Sequence, residues 1–399
     1  MFLKIVKTLA FNILIYKMSK FSLFMQVCTS SKNYEILFVG GETYQSIGAK
    51  ILSHFNAKSY IILTEKNIPS EYYNGIYHYL EANGANIHLI KLDSIGEKNK
   101  DFKVLTKVSK SIFENVTLTR NSVLIAIGGG VIGDLGGFLA SILMRGIRFV
   151  QMPTTLLAMT DSSIGGKTGI NAFGYKNVIG AFYQPDMVIC NANYLKTLPY
   201  EEYISGYAEI LKHAILTKEH VDFLPDLLKN EHKIASRDMR FLTGIIKISC
   251  QIKANIVSRD EREQNGVRAF LNFGHTIAHA VEKLKELDGR ILHGHAVAIG
   301  MIAELKLAYK LGYFKDYELI SILETHFENI KLPARLEQLI EVNSRVYRQI
   351  LAKVTLDKKN HRNIGEDIMI SFAIPKKIGA MENIRISLSS LKKLLSDIL

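Results

Sequence analysis

Val123-Leu124-Ile125-Ala126-Ile127, running straight into Gly128-Gly129-Gly130-Val131-Ile132-Gly133-Asp134, decides the fold class of this chain. Five consecutive apolar residues bounded by glycine read as a strand buried on both faces. The residues after the glycines read as helix. Glycines let a backbone approach a ligand closely, and the N-terminus of the helix favours an anion such as a pyrophosphate. The literal G-x-G-x-x-G match is weak alone, because glycine-rich turns also serve tight packing. Its position adds information: the dinucleotide fingerprint normally closes a first strand, whereas here at least three strand candidates precede it. The expectation is a dinucleotide held in a topology unlike that of ordinary dehydrogenases.

Outward from this loop the same alternation continues. Glu35–Val39, Tyr60–Leu63, Ile87–Ile90 and Phe149–Met152 read as strands, and Tyr44–Phe55, Glu71–Ala82 and Phe102–Asn115 as helices. Alternating strands and helices imply a mainly parallel sheet covered by helices, an α/β nucleotide-binding domain over residues 35–195. After Leu198-Pro199 strand-like runs become sparse. Helical periodicity dominates through Tyr203–Leu216, Ser236–Ser258, Thr276–Leu287, Ala296–Leu311 and Leu391–Ile398, which predicts an all-α second domain over 196–399. Residues 1–34 stand apart as an N-terminal extension, read as an upstream mis-called start or a disordered segment. Its apolar run Leu9–Tyr16 is too short to span a bilayer.

Composition narrows the class. Hydrophobic residues make up 48% and charged residues 22% of 399, as expected of a globular chain long enough for two domains. Cys28, Cys190 and Cys250 are three, widely spaced, and exclude a disulfide framework; they fit a reducing, cytoplasmic setting. The net charge of +12 invites a nucleic-acid reading, yet five of the lysines fall within residues 1–34 and no polybasic block or nucleic-acid motif appears. Neither a nucleic acid nor a membrane is expected as partner.

Four of the twelve histidines, His275, His279, His293 and His295, fall within twenty-one residues. His275 and His279 sit four apart on a predicted helix and so share a face. Such a pair is often only a solvated face. Here Ala269, Phe270, Leu271, Ile277, Ala278 and Val281 surround it, with Asn272 and Arg268 just before, and polar groups among apolar neighbours need partners. The cluster points to a metal site of the zinc type. Glu209, in Gly206-Tyr207-Ala208-Glu209-Ile210-Leu211-Lys212, supplies the carboxylate that the histidines lack, with Lys212 at i+3 on its face. Thr154-Thr155, Asp161, Lys167, Lys176 and Asn177 lie in or near glycine-rich turns, and with Arg145 they suit phosphate, since amides and ammonium groups converge on one anion there.

Together these motifs resemble the 3-dehydroquinate synthase family of sugar-phosphate cyclases over roughly residues 35–375. The resemblance rests on Gly128–Asp134, Met144-Arg145-Gly146, Pro153–Met159, Asp161–Lys167, Gly174–Gly180, Ala208-Glu209, Asp260-Glu261-Arg262-Glu263, Asn272–His275 and His293-Gly294. It implies that Glu209, His275 and His293 ligate zinc, with cobalt as a substitute. It also implies that NAD lies on Gly96-Glu97-Lys98-Asn99-Lys100, Gly130-Val131-Ile132-Gly133-Asp134, Thr154, Thr155, Lys167 and Lys176. Substrate would meet Asp161, Lys167, Asn177, Lys212, Lys253, Arg268, Asn272 and His279, with Arg145 and Lys176 near its phosphate and Lys358 or Lys359 also in reach. His295 stands where the family more often has glutamate, so either His293 or His295 could approach the metal, the former being favoured by its Leu-His-Gly context.

The implied reaction turns 3-deoxy-D-arabino-heptulosonate 7-phosphate into 3-dehydroquinate, a shikimate-pathway step towards aromatic amino acids. Transient oxidation by NAD permits phosphate elimination, re-reduction, ring opening and aldol closure, with His279 as proton shuttle. The rival readings are another cyclase, such as one making 2-deoxy-scyllo-inosose, and a polyol dehydrogenase. A homodimer is the implied assembly.

Overall fold

A computed structural model of the chain describes residues 23–287, 290–355 and 367–399. It divides into two compact units, one built from the chain up to Thr154 with Ser162–Tyr194, the other from Thr155–Asp161 with Leu195–Leu399.

The first unit contains strands β1 (Leu23–Cys28), β2 (Asn33–Val39), β3 (Ser59–Glu65), β4 (Asn86–Leu92), β5 (Val123–Gly128), β6 (Arg148–Pro153), β7 (Lys167–Ala172), β8 (Tyr175–Phe182) and β9 (Met187–Asn191). Its helices are α1 (Tyr44–Phe55), α2 (Glu71–Ala82), α3 (Phe102–Asn115) and α4 (Gly130–Ile142). Seven strands form one sheet in the order β1-β2-β9-β6-β5-β3-β4, parallel except where β1 pairs antiparallel with β2. Strands β3 and β5 are buried throughout, as continuous apolar runs covered on both faces must be. The chain adds β4 outside β3, then turns back to add β5 and β6 on the other side. The glycine loop at the end of β5 therefore sits at a topological switch point, where open α/β sheets bind ligands. That is the atypical arrangement expected from the loop's late position.

Residues 23–34 correct the expectation of a separate extension to residue 34. Met25 and Val27 of β1 are buried against β2, and β2 itself begins at Asn33. Alternating inward residues on an edge strand gave a weaker signal than the lysines around them. Residues 1–22 lie outside the described residues. Lys167, Lys176 and Asn177 also differ from the expected glycine turns: they stand on the antiparallel β7–β8 hairpin. Gly169 and Gly180 face each other across it, so close that a Cβ on Gly180 would lie 2.0 Å from the Thr168 carbonyl oxygen.

The second unit is mainly helical, with α5 (Tyr200–Leu216), α6 (Phe223–Lys229), α7 (Glu231–Ala235), α8 (Met239–Arg259), α9 (His275–Val281), α10 (His293–Lys310), α11 (Tyr317–Asn329), α12 (Ser344–Val354) and α13 (Leu388–Ile398). It is not all-α, as expected from the sequence, because β10 (Met369–Lys377) and β11 (Ala380–Ser387) form a hairpin. The alternation Ile370, Phe372, Ile374 and the Gly379 turn at φ +75° were the legible signs of it. Helix α9 stops at Val281 rather than 287, and Glu282 turns its carboxylate to His293 instead. Helices α5 and α10 are buried almost all round, which makes them central, and any charge they carry needs a partner inside. No described helix is long and apolar enough to cross a membrane.

Candidate functional site

In the second unit, three side chains on three helices meet. Glu209 of α5, His275 of α9 and His293 of α10 bring one ligand atom each to within 4.8 Å of one another. Oε1 of Glu209 lies 3.7 Å from Nε2 of His275 and 3.6 Å from Nε2 of His293. Each imidazole is held from behind: His275 Nδ1 by the Phe273 carbonyl at 3.1 Å, His293 Nδ1 by the Glu282 carboxylate at 3.0 Å. Such partners fix the ring so that the other nitrogen presents a lone pair, the usual arrangement around a ligated metal. Both Glu209 oxygens are fully buried, and apart from the Lys212 ammonium paired with Oε2 and the two imidazoles they meet no hydrogen-bond donor among the described residues. Two imidazoles and a carboxylate form a donor set that suits a zinc ion with an open position. The residues present fit the group.

Burial alone would push the Glu209 carboxyl up, but the Lys212 ammonium, then His293 and His275, hold it well below the usual carboxylate range. Burial would lower the His293 imidazole, yet Glu209 and Glu282 push it up to about 10. Burial and the Lys212 charge keep His275 well below its ordinary value. The triad therefore carries an anionic carboxylate matched to cationic partners, and a metal ion would replace the proton on His293.

Packing sets this geometry. Gly294 follows His293 directly, and a Cβ there would fall 1.7 Å from the Ser205 carbonyl oxygen of α5; its amide donates to Ser205 Oγ at 3.0 Å. Only glycine lets α10 come this close to the helix bearing Glu209. Gly294→Ala is expected to cost about 3 kcal/mol or more, beyond ordinary overpacking because the clash is with backbone. Denaturant unfolding checks it, and wild-type stability would show that α5 and α10 are not locked here.

Next to the triad, Lys253 Nζ donates to the Asp161 carboxylate and to its carbonyl, both at 2.6 Å, and Lys212 lies 4.0 Å from the same carboxylate while pairing with Glu209. Burial opposes ionisation of Asp161, but Lys253 and Lys212 hold its pKa below the usual range, while burial lowers that of Lys253. Asp161 reaches this place through a bend in which Thr155 Oγ1 accepts from the Ala158 amide at 3.1 Å. His213 also lies here, bonded through Nδ1 to Ser249 Oγ at 2.7 Å and pushed down to about 3 by burial and Lys212. Asp161, Glu209 and His213 could also hold an ion by distance. The two ammonium groups at that end make it the poorer cation site.

Arg268 is buried and donates to the Glu261 carbonyl, and its amide is held by Asp260, which also accepts from Gln264 and Asn265. Asn272 donates to Glu263 at 3.1 Å. Arg268 and Asn272 lie in a short 3-10 turn before α9, not in α9 itself. His279 packs edge-on to His275, ring centroids 5.6 Å apart. His295 turns to the Glu201 backbone on α5 and is no part of the triad, which takes His293 instead. Lys358 and Lys359 lie outside the described residues.

In the first unit, Gly129 caps α4 and the following glycines seat that helix on the sheet. A Cβ on Gly133 would lie 3.0 Å from Gln151 Oε1, and one on Gly136 2.9 Å from the Ala126 Cβ. The Gly96–Lys100 run folds against this turn: Lys100 is buried and pairs with Asp134, and the Lys100 carbonyl accepts from the Asn171 amide at 2.7 Å. The Thr154 amide donates to the Gly128 carbonyl at 2.9 Å. Glu97 accepts from Asn171 at 2.6 Å, and the Asn171 side chain accepts from the Asn177 amide at 2.9 Å. So Gly96–Lys100, Gly130–Asp134, Thr154 and Asn177 are gathered, whereas Thr155 belongs to the other unit. Arg145 and Lys176 are exposed, Arg145 on a left-handed backbone at φ +61°.

Sequence reasoning missed Glu65, at the end of β3, whose buried carboxylate accepts from Gly96 and Asn99; burial pushes its pKa up against those bonds. It missed Glu282 and Glu304 as well. For Glu304 the available sign was one acid inside the apolar run Ala296–Leu305.

Comparison with known proteins identifies the family. The 3-dehydroquinate synthase N-terminal family model matches residues 91–205 and the C-terminal one residues 206–360. The 3-dehydroquinate synthase of Thermodesulfovibrio yellowstonii is 39% identical over 94% of this chain and 99% of its own length; that of Ruminiclostridium cellulolyticum is 38% identical over 89% and 94%. Among solved structures, a 2-deoxy-scyllo-inosose synthase complexed with carbaglucose-6-phosphate, NAD+ and Co2+ superposes with a TM-score of 0.80 at 23% identity, covering 94% of this chain and 100% of that one. The 2-epi-5-epi-valiolone synthase of Streptomyces hygroscopicus subsp. jinggangensis, with NAD+ and Zn2+ bound, gives 0.75 at 21%, covering 93% and 98%. These structural likenesses show the fold. With both family models matched in succession and relatives near 40% identity across nearly its whole length, the chain belongs to the 3-dehydroquinate synthase family.

Proposed function

We propose that this chain converts 3-deoxy-D-arabino-heptulosonate 7-phosphate to 3-dehydroquinate and phosphate, using NAD that is reduced and reoxidised in each turnover and zinc held by Glu209, His275 and His293. The observation that carries the reading is the triad set beside Asp161, Lys212 and Lys253 within one unit. When bound, zinc lowers the pKa of the hydroxyl to be oxidised, and NAD takes and returns the hydride.

The chain's own groups supply the rest. Lys212 and Lys253 are buried ammonium groups, so negative charge developing on substrate oxygen is stabilised with little screening. Asp161 keeps Lys253 oriented and charged against the pull of burial. His279, one turn beyond His275 and packed edge-on against it, takes or returns a proton on substrate. Arg268, with Asn272 beside it, suits the substrate carboxylate, which a glucose 6-phosphate substrate lacks. Gly96–Lys100, Gly130–Asp134, Thr154 and Thr155 serve NAD, Lys167 both NAD and substrate, Asn177 the substrate, Arg145 the phosphate and Lys176 the phosphate and NAD, with Lys358 or Lys359 on the substrate. The enzyme works in the cytoplasm as a homodimer; the β7–β8 hairpin, with Phe173 84% and Tyr175 64% exposed, supports an assembly that covers it.

Phosphate release from 3-deoxy-D-arabino-heptulosonate 7-phosphate, followed with NAD in the presence and absence of a chelator, tests the reading. Expected is release that stops with chelator and recovers with Zn2+, without accumulation of NADH. Release only from glucose 6-phosphate would replace the substrate, and bulk NADH would replace the reaction.

A further inference from the structure

We infer that Glu304 is a positioning residue of the metal centre, acting through the first amides of α9 to hold His275 in register with His293. The inference rests on the metal reading of the triad. Helix α10 begins with His293, and its stripe Val297, Gly300, Glu304 faces the start of α9. There Gly274 adopts φ +80°, and a Cβ on it would lie 2.7 Å from Met301 Cγ and 3.0 Å from the Val297 carbonyl oxygen. A Cβ on Gly300 would lie 1.9 Å from the Gly274 carbonyl oxygen. The two backbones touch with no side chain between them.

This contact creates a difficulty that Glu304 resolves. The first amides of a helix have no partner within it, and the residue before the helix usually caps them with its side chain. In α9 that residue is Gly274, which backbone and packing confine to glycine, so the cap must come from elsewhere. Glu304 supplies it from α10. Its carboxylate, fully buried, accepts from the Gly274 amide at 2.7 Å and from the Ile277 amide at 3.2 Å. His275 lies between these two anchored amides. The helix bearing His275 and His279 is thus tied to the helix bearing His293 by one carboxyl group that accepts from two backbone amides.

The test compares metal-free wild type, Glu304→Gln and Leu395→Ala, the last removing a buried α13 side chain remote from the triad in sequence. Each is titrated with Zn2+ against a chromophoric chelator, and its Co2+ form is recorded in the visible range. Glutamine keeps the size but turns an NH2 group towards an amide. Expected for Glu304→Gln is a metal affinity about 10- to 100-fold weaker, the scale for groups that orient a ligand, with a changed Co2+ spectrum. Leu395→Ala should lose stability but bind metal as wild type does. Glu304→Gln within about twofold of wild type with an unchanged spectrum overturns the inference, as does an equal loss in Leu395→Ala. Wild type that takes up no metal overturns the metal reading instead. If Glu304→Gln does not fold, Glu304→Asp decides, since it keeps both acceptors but withdraws them by one methylene: weakened affinity supports the role and wild-type affinity removes it.

Discussion

Glu209→Gln is expected to give a folded but destabilised protein that takes up no Zn2+ at concentrations saturating wild type and turns over at least about a thousandfold more slowly. The rate estimate follows from the several kcal/mol that a metal Lewis acid supplies, at 1.36 kcal/mol per decade. The stability effect has a separate origin. Glu209 is fully buried and pairs with Lys212, itself 1% exposed, so the neutral amide leaves a buried ammonium without its nearest countercharge. Removing one partner of a buried pair costs about 3–5 kcal/mol. Asp161, 4.0 Å from Lys212, takes up part of that charge, so the loss should fall towards the lower end. Metal analysis of the purified variant and denaturant unfolding read the two effects independently. A variant that retains stoichiometric zinc would remove Glu209 from the ligand set. One that loses zinc yet keeps its turnover would remove the metal from the chemistry.

How much of this was legible in the sequence differs between the two units. The buried strand and its glycine turn announced the α/β unit, because a run such as Val123–Ile127 has few ways to be satisfied outside a covered sheet. Strand β1 and the β7–β8 hairpin were not legible: β1 is a short edge strand whose residues alternate between buried and exposed, and β8 is largely exposed and interrupted by lysine, asparagine and glycine. In the second unit the triad was found from residue type together with the resemblance to the family, since helical spacing alone pairs His275 with His279 rather than with His293. The groups that hold it were not. Glu282 reaches His293 only because α9 ends early, and Glu304 caps α9 only because Gly274 and Gly300 bring two backbones together. Those are tertiary facts, and a single sequence marks them by no more than a lone acid in an apolar helix. The pairing of Lys253 with Asp161, ninety-two residues apart in the chain, was likewise beyond spacing rules.

That pairing carries the second large effect, and its signature is a pH profile. Lys253 and Lys212 hold the folded-state pKa of Asp161 below the usual aspartate value against the opposing effect of burial. Between the two pKa values the unfolded chain binds more protons, so stability rises with pH through that window. The stabilisation is complete above the unfolded value near 3.8 and disappears as pH falls through the folded one. Asp161→Asn lacks this contribution at every pH. It should be less stable than wild type at neutral pH by about 2 kcal/mol, below the range for fully buried pairs because the Asp161 side chain is 25% exposed. The two stability curves should converge in acid. His213, at about 3 against an ordinary 6.5, makes stability fall over a higher window with the same sign, but it is present in both proteins and leaves the convergence in place. Unfolding of the metal-free proteins by denaturant from neutral to strongly acidic pH measures the gap. Turnover of the variant should fall at neutral pH as well, because Lys253 loses the carboxylate that orients it. Parallel curves with a constant gap would mean that Asp161 stabilises the fold by shape and hydrogen bonding alone, and its charge would then have no part in holding the two lysines at the site.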